Sequence, residues 1–243
     1  MKHYTDRYKI YSFNCDHNFK ATIQSLVEYM AETSIGETDD VMKGVTEYDD
    51  YFWIVYQWEI DIFDIPNYSD EINIETVSAG TKKFYAYRNF RVFDDNGKDY
   101  IKGKTKWLLL DRKTYMPTRI PDDLINRYGI EKDLDIVGKD LKIKKDVDYA
   151  SSLSFSVRKT DIDANRHVNN AKYFGWIFES IDDEILDDNK LKKIEIVYKK
   201  DTKYGENIIT KSTDLIQEDD DLVIYNKIED EKGEVKTFSK LYF

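Results

Sequence analysis

Three side chains able to move a proton or hold a carbonyl lie close together, Asp163, Asn165 and His167, in the segment TDIDANRHVNNAKYFGWIFES, residues 160–180. Alternate residues of an extended segment point to one side, so a carboxylate, an amide and an imidazole are expected to converge. Asn169 and Asn170 follow, residue types that cap helix starts, and the first amides and positive dipole end of the next helix would then face the same place. An acid/base imidazole beside donors for a developing oxyanion is the arrangement that acyl transfer requires. The same side chains could instead satisfy backbone groups of a helix-entry loop, and spacing alone leaves both readings open.

The elements that must position these residues come in two similar series. Ile23, Leu26, Val27, Met30 and Ala31 recur at helical spacing and predict a helix over residues 18–33, after an alternating stretch at 8–13. Segments 52–63, 71–78, 83–93 and 100–110, rich in Val, Ile, Tyr, Phe and Trp, then read as a meander of long strands separated by turn residues. The second half repeats the order, with alternation at 152–158, a helix at 170–185 and strands at 193–199, 207–215, 221–228 and 235–243. Tyr173, Phe174, Trp176, Ile177, Phe178 and Ile181 cover most of that helix, so it must be enclosed. Laying residues 19–28 over 170–179 suggests an internal duplication. One enclosed helix with about five strands per repeat is met by an antiparallel sheet curled around a central helix, an α+β class. Residues 121–147 are charge-dense and weakly periodic, with a short helix expected near 121–128; the expected division is 1–130 for the first repeat, 131–147 for the connector and 148–243 for the second.

Composition narrows the partners. With 37 Lys and Arg against 48 Asp and Glu the net charge is −11, which disfavours nucleic acid. The single cysteine, Cys15, allows no internal disulfide, and the charged, aromatic start lacks a signal-peptide pattern, so a cytoplasmic location is expected. No apolar run approaches membrane-spanning length, so no membrane insertion is expected. Three scattered histidines and one cysteine give no metal-ligand spacing, and no Gly-rich phosphate loop is present; neither metal nor cofactor is expected.

The run NRHVNNAKYFGWIFES, residues 165–180, closely resembles the signature of acyl-acyl carrier protein (acyl-ACP) thioesterases. Segments 58–76 and 87–121 look like that family's N-terminal repeat, so the likeness spans nearly the whole chain. The resemblance implies a tandem (double) hotdog fold, hydrolysis of fatty acyl-ACP to free fatty acid and carrier thiol, and acyl carrier protein as partner. It puts Asp163, Asn165 and His167 on the family's Asp, Asn and His. It further implies an acidic residue on the next strand, followed in many plant members by a cysteine. Here VYKKDTKYG supplies Asp201, one methylene shorter than the family's Glu, and Thr202 in the cysteine position. A Cys/His/Asn triad would need Cys15, which lies in the other repeat. His17, in CDHNF, falls at the pseudo-equivalent loop without the Asn/His pairing.

Under this reading His167 acts as base on water and acid toward the leaving thiol, or Asp201 or Asp163 attacks directly and forms a mixed anhydride. In the family the first repeat holds the acyl chain, so Leu26, Val27, Met30 and Trp53 either line a tunnel or serve as ordinary core. The carrier is acidic, and two basic groups could meet it: Lys102, Lys104 and Lys106, or Lys192, Lys193, Lys199, Lys200 and Lys203. The alternatives are an acyl-coenzyme A thioesterase, a hotdog dehydratase or hydratase, and a non-catalytic acyl-binding module. The tandem repeat already supplies an internal pseudo-dimer, so a homodimer is allowed but not required.

Overall fold

A computed structural model of the chain describes residues 2–130, 140–164, 166–188 and 190–243. It divides into two compact units, Met1–Asp140 and Leu141–Phe243. Most of the expected connector, 131–139, lies outside the described residues. Among those described, no helix is long and apolar enough to cross a membrane.

In the first unit, strands β1 (His3–Lys9), β2 (Tyr51–Ile62), β3 (Glu71–Lys82), β4 (Tyr85–Phe93) and β5 (Asp99–Asp111) form an antiparallel sheet in the order β1-β3-β4-β5-β2. Helix α1 (Ile23–Met42) lies against β1 and β3. Thr22 caps it by accepting the Ser25 N–H at 3.1 Å. Ile23, Leu26, Val27, Met30, Thr33, Ser34 and Glu37 form its buried stripe. The helix begins later than the 18 of the sequence reading, because residues 16–20 turn back on themselves, and it runs on past 33. That extension is held by tertiary contacts. Gly36 leaves room for Tyr4, whose hydroxyl would sit 2.5 Å from any added Cβ. Buried Glu37 pairs with buried Arg88, which also donates to Thr76 Oγ1 at 2.9 Å. Helix α2 (Asp122–Arg127) falls where a short helix was expected and packs Leu124, Ile125 and Tyr128 against Leu109 and Ile120.

In the second unit, β6 (Ser151–Ser156), β7 (Lys193–Tyr198), β8 (Asn207–Ser212), β10 (Asp221–Asp230) and β11 (Val235–Tyr242) are ordered β7-β11-β10-β8-β6, with short β9 (Ile216–Glu218) on β10. Each unit is a hotdog, as expected, but the long second helix is not. It is two pieces, α3 (Lys172–Phe178) and α4 (Asp183–Asp188). Ser180 explains the break. Its buried hydroxyl meets Thr210 Oγ1 at 3.1 Å, Ser212 Oγ at 2.7 Å and Asn226 Nδ2 at 3.0 Å, and its carbonyl accepts from Ser151 Oγ at 2.5 Å. A polar hub that satisfies every member is worth more there than another turn of helix, and apolar periodicity carries no trace of it.

The two helix-entry loops share most of their main-chain hydrogen bonds. Ser12–Asn14 and Lys159–Asp161 each form a 3-10 turn, and the bridges Cys15↔Ala21 and Ile162↔Val168 follow. Asp16 N–H bonds Lys20 O as Asp163 N–H bonds His167 O, both at 2.8 Å. Phe19 and Arg166 are both left-handed, at φ 59° and 66°. The duplication is therefore real, but Phe19 corresponds to Arg166 and not, as laid out from sequence, to Asn170. Similar helix compositions had aligned the helices at the expense of the loops.

Candidate active site

The segment carrying His167 is not extended. Asp163 O accepts the Arg166 N–H at 3.0 Å, Arg166 takes the left-handed conformation, and the chain reverses so that Asp163 and His167 face each other. Residues opposite one another in an antiparallel pair share a side, so Asp163 and His167 are brought together by pairing and not by the expected alternation. Asp163 Oδ1 accepts the His167 main-chain N–H at 3.3 Å, which ties the acid to the turn. Asn165 lies outside the described residues. Below the turn, Asp161 is 1% exposed and accepts from Arg158 through main chain and guanidinium, fixing the loop at its base.

Asp201 reaches this turn from the segment after β7. Its Oδ2 lies 3.0 Å from His167 Nδ1, with the two side chains 42% and 32% exposed. A proton held on Nδ1 toward Asp201 leaves Nε2 free to accept one, the orientation a general base needs. Asp201→Asn offers an amide N–H to Nδ1 and so favours the wrong tautomer. For the thioester hydrolysis that the family resemblance implies, the expected result is a kcat about 10²-fold lower at unchanged thermal stability, measured by single-turnover hydrolysis and a melting curve.

Thr202, in the family's cysteine position, is fully buried. Its carbonyl accepts the Val168 N–H at 3.2 Å, and its hydroxyl has no hydrogen bond of normal geometry among the described residues. The Tyr173 hydroxyl lies beside it. Burial raises the Tyr173 pKa, with Asp201 and Glu206 adding to the effect, so this phenol stays neutral. Tyr173 packs edge-on to Tyr198 and against Trp176, and Tyr198 donates to Asn170 O at 2.9 Å, so these aromatics form the wall behind the pair.

The expected row of free helix amides is largely spent. Val168, Asn169, Ala171, Lys172 and Phe174 all donate elsewhere, Ala171 to Asn169 Oδ1 at 2.9 Å. The Asn170 N–H has no partner among the described residues. Among those residues no group of three or more His, Cys, Asp or Glu is placed to hold a metal ion.

The first repeat shows what the loop is without chemistry. The bonds that place Asp163, His167 and Thr202 place Asp16, Lys20 and Pro66 in the first unit, where the Ala21 N–H donates to Pro66 O as Val168 donates to Thr202 O. Lys20 thus stands for His167 and Ile65 for Asp201. His17 corresponds to Ala164, not to the imidazole position. Cys15 donates its thiol to Tyr11 O at 3.3 Å, and burial raises its pKa, so it is no thiolate.

The cations divide in the same way. Around the His167 loop stand exposed Arg158, Lys159, Arg166, Lys199, Lys200 and Lys203, whose first-repeat counterparts are Tyr11, Ser12, Phe19, Phe63, Asp64 and Asn67. Of the basic groups expected from sequence, the first is no open basic face. Lys106 is buried with its Nζ 3.8 Å from the Tyr85 ring and paired with Asp140, and Lys102 is held by Asp99 at 2.8 Å. In the second group Lys193 pairs with Glu195, Lys200 with Glu234, and Lys192 donates to Phe243 O.

Two helix-in-sheet repeats, one bearing an imidazole–carboxylate pair at the entry to its helix, define the tandem hotdog class. Family models for the acyl-ACP thioesterase N-terminal and C-terminal domains match residues 1–128 and 144–243, and the chain belongs to the acyl-ACP thioesterase family. It is 24% identical over 218 residues to oleoyl-acyl carrier protein thioesterase 2, chloroplastic, of Arabidopsis thaliana, covering 82% of this chain and 59% of that one. The chain therefore spans little more than half the length of the curated relatives it matches. A solved protein from Lactobacillus plantarum described as an oleoyl thioesterase superposes with a TM-score of 0.91 at 24% identity, over 99% of this chain and 95% of that one. The 12:0-ACP thioesterase from Umbellularia californica gives 0.85 at 19% identity, over 99% and 93%. These likenesses share the fold.

Proposed function

We propose that the chain hydrolyses the thioester of fatty acyl-ACP in the cytoplasm. The observation that carries this reading is the His167 Nδ1–Asp201 Oδ2 contact of 3.0 Å within the family's signature loop. Water attacks the thioester carbonyl carbon as Nε2 of His167 takes its proton. The C–S bond then breaks, the proton passes to sulfur, and fatty acid and carrier thiol leave. The Asn170 N–H is a main-chain donor available to the carbonyl oxygen, and Asn165 is assigned a share in this by the family motif. Because the Asp201 carboxylate is engaged with the imidazole, orienting His167 suits it better than attacking the substrate. Thr202 is too buried to serve as nucleophile.

The carrier is read from charge. A cation-rich loop present in the repeat with the imidazole and absent from its counterpart fits an acidic partner, despite the net charge of −11. Lys159, Arg166 and Lys203 are the members without an ion pair among the described residues, Lys159 lying over the Tyr204 ring. The test is thiol release from acyl-ACP and from the matching acyl-coenzyme A, at low and high salt, for the wild type and Arg166→Glu/Lys203→Glu. Expected are a clear preference for acyl-ACP and, in the variant, a kcat/KM about 10-fold lower for that substrate with a flatter salt dependence. Equal turnover of the two substrates would point to a coenzyme A thioesterase, and tight acyl binding without release to a binding module.

A further inference from the structure

The correspondence between repeats isolates one buried cation. Lys236, on β11, is 2% exposed. Its carbonyl accepts the Lys199 N–H at 2.8 Å and the Lys200 N–H at 3.4 Å, where the chain leaves β7 and starts toward Asp201. Its Nζ lies 3.3 Å from Glu206 Oε2, 3.3 Å from Glu234 Oε2 and 3.5 Å from Asp230 Oδ2. Glu206 ends the same segment, its carbonyl accepting the Val157 N–H at 2.9 Å. One residue therefore grips both ends of 199–206, the stretch that carries Asp201 and Thr202. Burial works against its charge, but the carboxylates of Glu206, Glu234 and Asp230 prevail and raise its pKa, so it remains a cation.

The fold does not need that cation. In the first repeat the matching amides, Phe63 and Asp64, donate to the carbonyl of Tyr100 at 2.9 and 3.3 Å, and Asp70 takes the place of Glu206. The same loop thus closes around a buried tyrosine. Burying an ammonium costs desolvation, and at this strand position that cost is met only in the repeat that holds His167 and Asp201. Glu206 and Asp201 both help to raise the pKa of the Tyr173 hydroxyl.

We propose that Lys236 is a positioning residue for the His167–Asp201 pair, holding the Glu206 end of 199–206 so that Asp201 stays within reach of the imidazole. The inference rests on His167 being the acid/base group. The experiment compares Lys236→Met, Lys236→Tyr, Lys236→Arg, Glu206→Gln and Lys236→Met/Glu206→Gln in the full chain. It reads kcat, KM, melting temperature and the His167 ring resonances, which His167→Ala assigns among only three histidines.

Lys236→Met is expected to lower kcat about 10- to 100-fold with little change in KM, as for a displaced catalytic group, and to lose the Nδ1–H signature of His167. Lys236→Tyr, the first repeat's own solution, melts like the wild type yet behaves like Lys236→Met, and Lys236→Arg retains activity. The double variant is no worse than Lys236→Met alone, because both changes cut one link. Wild-type kcat with an unchanged His167 spectrum in Lys236→Met or Lys236→Tyr overturns the proposal, and so does a loss of kcat that leaves the spectrum unchanged. If neither variant folds, Glu206→Gln, which leaves Lys236 two carboxylates, is judged by the same criteria. The ring resonances need no turnover, so a wild type without thioesterase activity would refute the proposed reaction and still leave the clamp tested.

Discussion

Thiol release from acyl-ACP falls by about 10²- to 10⁴-fold in His167→Ala, the range for removing a general acid/base. Under the proposed mechanism the loss is in kcat, because there the imidazole serves the chemical step and the exposed cations of its loop serve the carrier. The variant folds normally. His167 is a third exposed, and the bonds that shape its turn, Asp163 N–H to residue 167 O and the residue 167 N–H to Asp163 Oδ1, are main-chain at that position. A residual rate within about threefold of wild type would remove His167 from the mechanism and leave the fold intact. Measurement under single-turnover conditions separates this from slow product release.

Arg88→Met destabilises the first unit by about 3–5 kcal/mol, the cost of stripping one partner from a buried ion pair. Glu37 is left inside the unit with its Oε2 facing only the Ser78 hydroxyl at 3.4 Å, and its Oε1 already lacks a partner. Arg88→Met/Glu37→Leu recovers most of the loss, since an apolar pair of similar volume removes both charges at once. Urea melts of the three proteins decide the matter. Equal stability of the wild type and Arg88→Met would mean that solvent reaches Glu37.

The strand run was readable because half-buried strands concentrate Val, Ile, Tyr and Phe between turn residues, and β2 and β5 fall within a residue of the expected limits. The helices were harder. Residues 16–20 form a turn in which Asp16 Oδ1 accepts the Asn18 and Lys20 N–H, a local turn signal that the helical periodicity overrode in the sequence reading, so α1 starts at Ile23 rather than 18. Ser180 looks like a tolerable helix residue until Asn226, Thr210 and Ser212 arrive from other strands. His167 and Asp163 stood out through residue type and spacing, whereas Asp201 was found only through family resemblance. No local pattern ties KKDTKYG to an imidazole many residues earlier. Lys236 left no signal, because a lysine in an alternating strand reads as solvent-facing and its burial is made by Glu206, Asp230 and Glu234.

The matched loops also make the first repeat a vacant receptacle. Positions 20 and 65 sit on backbone bonded like that of positions 167 and 201, and the left-handed residue between the strands of the turn is already in place. For a protein engineer the geometry that usually has to be built is inherited, so new side-chain pairs can be tried there without redesigning the turn. The duplication carries a spare mould of the site, in which chemistry can be altered while the original keeps working.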